Sequence, residues 1–395
     1  MPATRVEPLR LGVIGLGRAF TLMLPTFVAH RGVRLVAATD PRPEARARFA
    51  AEFGTAHDTA GALCADPAVE AVYVASPHQF HLEHVRLAAE AGKPVLVEKP
   101  MALTLADGHA MTAAARTAGV PLLVGHSHSF DEPYLRARAL IEGGDYGRVR
   151  MISALNYTDF LYRPRRPEEL DTRAGGGVVF SQAAHQVDVV RLLAGSPARS
   201  VRAQVGAWDP ARPTEGAYTA QITFADDAFA TLVYSGYGRF DTDEFTGWVG
   251  ELGQSRDPAR YGAARATLRA ARTPDDEVAL MSRRAYGPAG VDAFRAVPGV
   301  RHNHFGLVVV SCERADLRPG PDGVTIYGDE TRMLAPLPAP AVPRASVVDE
   351  LRAAVLDGVP PLHSGAWGLA TLEICLAILA SAHDGREVVL AHQVP

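Results

Sequence analysis

Cysteine is scarce in this chain: Cys64, Cys312 and Cys375 are the only three among 395 residues, and they lie far apart. That excludes CxxC metal spacing and the density of a disulfide-stapled secreted scaffold, and it fits a reducing compartment. Neither sign of charge dominates. Lys and Arg number 40 against 44 Asp and Glu, a formal net charge of -4, so no global basic field draws nucleic acid or an anionic membrane. No run approaches the roughly 20 apolar residues of a bilayer span. Met1 to Arg10 is polar and lacks the apolar core of a signal peptide. These absences give the expectation of a cytoplasmic protein. What is present is 47% hydrophobic and 21% charged residues, an ordinary globular mixture on a chain long enough for two domains.

The first third alternates between two periods. Leu11 to Gly15, Val33 to Asp40, Ala71 to Ser76, Pro94 to Glu98 and Pro121 to Gly125 read as apolar strands. Arg18 to His30, Pro43 to Phe53, Leu82 to Ala91 and Thr104 to Ala118 read as helices between them. This pattern predicts βαβ units and a parallel sheet buried on both faces. Such sheets place ligands at the carboxyl ends of their strands. After Gly147 the texture changes. Val149 to Tyr157, Val201 to Trp208, Ala217 to Phe224, Ala228 to Tyr234 and Val324 to Tyr327 are rich in β-branched and aromatic residues, which predicts an antiparallel or mixed sheet. A glycine run and a helix occupy Gly175 to Ala194. A charged, irregular insertion covers about 256–300, with a helix at Tyr261 to Ala271. Pro336 to Pro343 reads as a linker, and Leu351 to Asp357 and Ala366 to Ala382 as closing helices.

The strand ends hold the candidate chemistry. Gly15-Leu16-Gly17-Arg18-Ala19-Phe20 follows a strand and opens a helix. Gly15 suits the tight turn, Gly17 lets a pyrophosphate approach the backbone, and the helix N-terminus supplies N–H donors. The third position holds Phe20 where glycine or alanine is usual. Asp40 lies 23 positions after Gly17. An acid at that spacing accepts from a ribose 2′-OH and repels a 2′-phosphate, favouring NAD over NADP. The alternative for Asp40 is a helix N-cap, and Arg42 softens the preference. Lys99 ends the fourth run in Val97-Glu98-Lys99-Pro100. Ser181, His185 and Asp188 follow the triple glycine 175–177 at i, i+4 and i+7, one face of a regular helix. A histidine there suits a general base near neutral pH; the plain alternative is a structural histidine.

Over nearly its whole length the sequence resembles the glucose–fructose oxidoreductase/inositol dehydrogenase (Gfo/Idh/MocA) family. The resemblance is carried by Gly15-Leu16-Gly17, Ser76-Pro77 with His81, Gly92 to Pro100, the triple glycine with His185 and Asp188, and Ser364-Gly365 with its helix to Ser381. It implies a Rossmann NAD(P)-binding domain over 1–128 and a substrate-binding and oligomerisation domain over 129–395, α/β and α+β respectively. The closing helix would pack back on the first domain. It further implies a catalytic Lys99, a cis Lys99–Pro100 bond and a catalytic His185. Cofactor contacts would come from Gly15, Gly17, Arg18, Ala19, Phe20, Asp40, Ser76, His78, His81, Glu98 and Lys99. Within the family, residues 16–21, 78–81, 126–130 and 156–162 are similar to the phthalate 4,5-cis-dihydrodiol dehydrogenase branch. That branch implies NAD-dependent oxidation of a carboxylated cyclic diol, an anionic small-molecule substrate and a homodimer or homotetramer. It would use neither nucleic acid nor membrane.

Two departures stand out. Ser181 occupies a position where relatives often carry an aspartate. Gly125-His126-Ser127-His128-Ser129-Phe130 lacks the Asn and Arg common there. Asp159 and Asp188 are candidate replacement acids. His126, His128, Tyr157, Ser181 and His185 are the expected substrate contacts, with Arg163, Arg165, Arg166 and Arg173 as carboxylate donors. Glu168, Glu169 and Asp171 interleave with those arginines, so surface ion pairs are the competing reading. In the expected mechanism NAD takes a hydride, His185 the hydroxyl proton, and Lys99 stabilises the alkoxide. Among 14 histidines, the HxH pairs 126/128 and 302/304 and the His78, His81, His84 series come without a convergent carboxylate motif, so no metal site is assigned. His78 and the first pair are read as pocket variation, His84 as solvent-facing, and His302 and His304 as either pocket-lining or structural. A sugar or polyol dehydrogenase, a non-catalytic NAD(P) sensor, a redox-assisted glycosidase and a metal hydrolase are the alternatives.

Overall fold

The computed structural model describes residues 7–125, 127–288 and 300–394. They form two compact units: 7–125 with 279–288 and 342–369, and 127–278 with 300–341 and 370–394.

The first unit alternates β1 (Leu9–Ile14), α1 (Arg18–Ala29), β2 (Val33–Thr39), α2 (Pro43–Glu52), β3 (Thr55–Ala56), α3 (Ala60–Ala65), β4 (Ala71–Val74), α4 (His81–Glu90), β5 (Val95–Val97), α5 (Leu105–Ala118) and β6 (Leu122–Val124). The sheet is parallel throughout, in the order β3-β2-β1-β4-β5-β6. That is the doubly wound order, whose direction reverses between β1 and β4. Every residue of β4, β5 and β6 is buried, as a sheet covered on both faces requires. Two elements escaped the sequence reading, β3 and α3, because two and six residues are too few to show a period. The edge at β6 is covered by His363–Ser364: Val124 N–H donates to the His363 carbonyl at 2.8 Å, and Leu123 bridges Ser364.

In the second unit, α6 (Glu132–Glu142), β7 (Val149–Tyr157), α7 (Ala184–Ala194), β8 (Ala198–Gly206), β9 (Ala217–Phe224) and β10 (Phe229–Ser235) come first. Then come α8 (Ala263–Ala270), α9 (Pro274–Ser282), β11 (Leu307–Cys312), β12 (Asp316–Gly320), β13 (Gly323–Tyr327) and β14 (Arg332–Pro336). α10 (Ala345–Leu356) returns to the first unit; α11 (Gly365–Asp384) and β15 (Val388–Val389) close the chain. The sheet order is β14-β13-β12-β11-β7-β10-β9-β8-β15. β7 and β10 are parallel and every other pair is antiparallel. Ile152, Ala154 and Asn156 alternate inward on β7, opposite Ala230, Leu232 and Tyr234 of β10. α7, buried along its whole length, packs on β7 and β10. Each fully buried Val, Leu or Ile in such a layer contributes about 1.5–3 kcal/mol.

α11 corrects one expectation. It is 20 residues long with a mean hydropathy of 1.6, enough by length and composition to cross a membrane, yet 72% of that stretch is buried within the protein. Its Thr371 and Ser381 hydroxyls donate to Asp188 and to the Arg386 carbonyl, as in the core helix of a folded domain.

Candidate active site

In the first unit the predicted cofactor residues gather at one edge of the sheet, just past the ends of β1, β2, β4 and β5. Gly15 has φ +98°, and a Cβ there would lie 2.7 Å from the Ala75 carbonyl oxygen, so only glycine fits. At Gly17 the space for an added Cβ is open, and α1 starts there with no side-chain cap. Uncapped first-turn N–H groups beside open space suit a pyrophosphate. Asp40 is buried. Its Oδ2 accepts from Leu16 N–H at 2.8 Å, and its Oδ1 from Arg42 N–H at 2.9 Å and Arg42 Nε at 2.8 Å. Arg42 itself is the N-cap residue of α2. Asp40 therefore ties the glycine turn to β2 and occupies the cation that would otherwise welcome a 2′-phosphate.

Several of the residues expected at the cofactor also have places in the packing of the fold. Phe20 turns its ring inward, 6.4 Å from Phe49 and 5.4 Å from Tyr286, and is fully buried; Arg18 is exposed and Ala19 half-buried. His81 is fully buried, its Nδ1 3.1 Å from the Met101 carbonyl and its Nε2 2.9 Å from the Ser76 carbonyl. It thus laces the loop after β5 to the loop after β4, and burial pushes its pKa down. Glu98 is buried and accepts from the Tyr73 phenol. His84 is half-buried rather than solvent-facing, with its Nδ1 2.9 Å from Ser76 Oγ. His78 is half-buried, its ring 5.6 Å from that of His81. Lys99, half-buried, follows Glu98, and the Lys99–Pro100 bond is cis.

In the second unit, His185 stands on the first turn of α7, which a π-helical turn, Val179–Ala183, precedes. Ser181 lies within that turn, so the i, i+4, i+7 face expected of a regular helix does not hold across it. The triple glycine has a reason. Glu215 is buried beneath it, accepting from Val179 N–H at 3.1 Å and from the Thr172 and Thr214 hydroxyls. A Cβ on Gly177, at φ +80°, would lie 2.0 Å from Glu215 Oε1.

Around His185 the fold assembles groups from distant segments. The His128 ring lies 4.9 Å away, edge to face, and Phe305 5.3 Å away. Tyr234 stacks on Phe305 at 6.2 Å and reaches Gln182 Oε1 at 3.2 Å and Thr158 Oγ1 at 3.0 Å. His128 Nδ1 sits 2.5 Å from Asp131 Oδ2, and its Nε2 3.2 Å from Glu251 Oε1. Burial alone would depress the His128 pKa, but the two carboxylates outweigh it and hold it up at about 9. Burial likewise opposes ionisation of Glu251, yet His128, Arg163 and His304 bring it down to about 2. Asp131 was missed, although its place three residues after His128 was a local signal that could have found it. Glu251, Tyr234 and Phe305 carry no local signal and were missed.

Other expected residues are placed apart. Tyr157 lies on the sheet face opposite the one that Asn156 and Tyr234 present to α7, with its ring 6.0 Å from Phe240. Strand alternation forbids it from joining His185. Asp188 is buried, accepting from Ser129 and Thr371 hydroxyls, and Asp159 pairs with Arg163 at 3.0 Å. Arg166 and Arg173 form surface pairs with Glu168 and Asp171; Arg173 is 91% exposed. Arg165 lies 3.6 Å over the Phe160 ring, and burial pulls its pKa down to about 10. Arg163 is within electrostatic reach of Glu251 and Tyr234. His302 and His304 bind the Pro338 and Val249 carbonyls, each at 2.7 Å. His126 lies outside the described residues.

The His128–Glu251 pair fixes a pH dependence. His128 is raised on folding from the ordinary 6.5, so its stabilisation is complete below that value and is lost as pH rises through about 9. Glu251 is lowered from 4.5, so its stabilisation is complete above that value and is lost as pH falls towards about 2. Thermal melts against pH should show the difference between wild type and His128→Asn greatest between about 4.5 and 6.5 and shrinking on both sides. A difference constant from pH 4 to about 9.5 would contradict the pairing.

Two family models match. The oxidoreductase-family NAD-binding Rossmann model covers residues 9–126, and the GFO/IDH/MocA C-terminal domain model covers residues 134–254. The chain belongs to the Gfo/Idh/MocA oxidoreductase family. It is 48% identical over 374 residues, 94% of each chain, to the 1-carboxy-3-chloro-3,4-dihydroxycyclohexa-1,5-diene dehydrogenase of Comamonas testosteroni. The myo-inositol 2-dehydrogenase of Thermotoga maritima is 30% identical over 49% of this chain and 57% of its own. A solved structure assigned as a dehydrogenase, from Bordetella bronchiseptica RB50, superposes with a TM-score of 0.91 at 42% identity, over 97% of this chain and 100% of that one. The chain is an NAD-dependent oxidoreductase, and the open, uncapped turn at Gly15 to Gly17 with Asp40 fits that cofactor.

Proposed function

We propose that this protein is an NAD-dependent dehydrogenase of a carboxylated cyclic cis-diol. The substrate we propose within that class is the 4,5-cis-dihydrodiol of phthalate, oxidised to 4,5-dihydroxyphthalate. The observation that carries the proposal is the full-length relative whose own name describes a carboxylated dihydroxycyclohexadiene dehydrogenase. The retained Lys99 and His185 agree with it.

Bound NAD supplies the hydride acceptor. His185 takes the proton of the carbinol hydroxyl. Its neighbour His128, doubly hydrogen-bonded to carboxylates, cannot accept that proton, so the base at this position is His185. Lys99 stabilises the oxyanion that develops as the proton leaves. Arg163, close enough to feel Glu251, is the cation best placed among the four arginines to read a ring carboxylate. Loss of the ring hydrogens ends in an aromatic catechol, which draws the reaction forward. We propose further that the chain works as a homo-oligomer in the cytoplasm.

The test offers the protein NAD with the phthalate cis-dihydrodiol, a monocarboxylated cis-dihydrodiol and inositol, following reduced-nicotinamide absorbance and catechol release. Turnover of the carboxylated diols, with one catechol per reduced nicotinamide, is expected. Turnover of inositol alone would replace the proposal with a polyol dehydrogenase.

A further inference from the structure

The turn that receives the dinucleotide is braced by a segment of the chain far from it in sequence. Residues 282–287 lie against α1 and α2. Tyr286 is fully buried; its ring meets Phe20 edge-on at 5.4 Å, its hydroxyl donates to Glu52 Oε2 at 2.6 Å, and the Arg48 guanidinium lies 4.6 Å over its ring. Thr21 Oγ1 lies 2.9 Å from the Arg284 carbonyl and 2.8 Å from the Arg18 carbonyl, which share its one proton, and Arg48 Nη1 donates to the Gly287 carbonyl at 2.8 Å. The Tyr286 N–H donates to the Leu16 carbonyl at 3.1 Å, and Arg42 Nη2 donates to that same oxygen at 2.9 Å. Phe20, the departure at the third position of the glycine motif, forms the seat of this segment.

Leu16 C=O and Gly17 N–H belong to one peptide plane and point in opposite directions. Two donors fixing that carbonyl therefore aim the Gly17 N–H away from the segment, and the missing side chain of Gly17 leaves open space beside it. We propose that segment 282–287 is part of the cofactor site, with Tyr286 a positioning residue that aims the Gly17 N–H at the dinucleotide pyrophosphate. The inference rests on the NAD reading of this turn, which binding of ADP-ribose to the wild-type protein tests separately.

The experiment compares Tyr286→Ala and Thr21→Val with wild type. Calorimetry gives Kd for NAD and ADP-ribose, ligand-observed NMR follows adenosine, which has no pyrophosphate, and thermal melts report folding. A misdirected donor to a charged group should weaken NAD and ADP-ribose about tenfold. The loss should fall in KM for NAD rather than kcat and leave adenosine binding unchanged. Unaltered affinity for ADP-ribose, or an equal loss for adenosine, would overturn the proposal. If Tyr286→Ala does not fold, Thr21→Val, which removes one anchor of the segment and no bulk, decides by the same readings.

Discussion

Replacing Lys99 by alanine is expected to lower kcat by about a thousandfold while changing Kd for NAD by less than about threefold. The asymmetry follows from when the ammonium is needed. In the proposed mechanism it stabilises charge that exists only as the substrate hydroxyl loses its proton, so it contributes to the transition state far more than to the bound complex. Its surroundings support that division. The preceding residue, Glu98, accepts from the Tyr73 phenol, and His81 laces the loop after β5 to the loop after β4. The loop should therefore survive the substitution. Steady-state kinetics with calorimetry on the same preparation settles the point, and parallel losses in turnover and NAD affinity would remove Lys99 from the chemistry.

The largest effect on stability is expected at Asp188. This carboxylate accepts from Ser129 and Thr371 hydroxyls and lies 4.0 Å from Arg191, with both charged side chains almost wholly buried. Burial pulls the Arg191 pKa down to about 10. Asp188→Ala removes the anion and leaves a buried guanidinium and two hydroxyls poorly compensated, at a cost of about 3–5 kcal/mol. Asp188→Asn keeps an acceptor for one hydroxyl and should cost less. Urea denaturation measures both, and a loss below about 1 kcal/mol for the alanine variant would show that the carboxylate is not needed for folding. The sequence placed Asp188 on a face with His185 and Ser181 as a possible reacting group. The structure makes it a buried brace.

What could be read ahead of the structure was what a short range of sequence encodes. The first sheet was legible because buried parallel strands are apolar runs and each ends at a glycine, an acid or a serine. β7 and β9 match the expected bounds, Val149–Tyr157 and Ala217–Phe224. β11, β12, β14 and β15 were not read: they are two to six residues long, and although buried positions alternate in β11 and β12, such short runs show no clear period in the sequence. The site divides in the same way. Gly15, Gly17, Asp40, Lys99 and His185 sit in local motifs. Glu251, Tyr234 and Phe305 approach His185 from separate strands and loops, and only tertiary packing brings them together. Ser181 misled because one π-helical turn breaks the period on which the spacing argument relied. Phe20 looked like a defect in the glycine motif until Tyr286, over 260 residues later in the chain, proved to pack against it.

The proposed function requires the site to recognise a ring carboxylate. The deciding measurement is kcat/KM for a carboxylated cis-dihydrodiol against the same diol without the carboxylate, both with NAD. A site whose cations read the carboxylate predicts at least about a hundredfold preference for the carboxylated ring. Equal kcat/KM for the two diols would contradict the account.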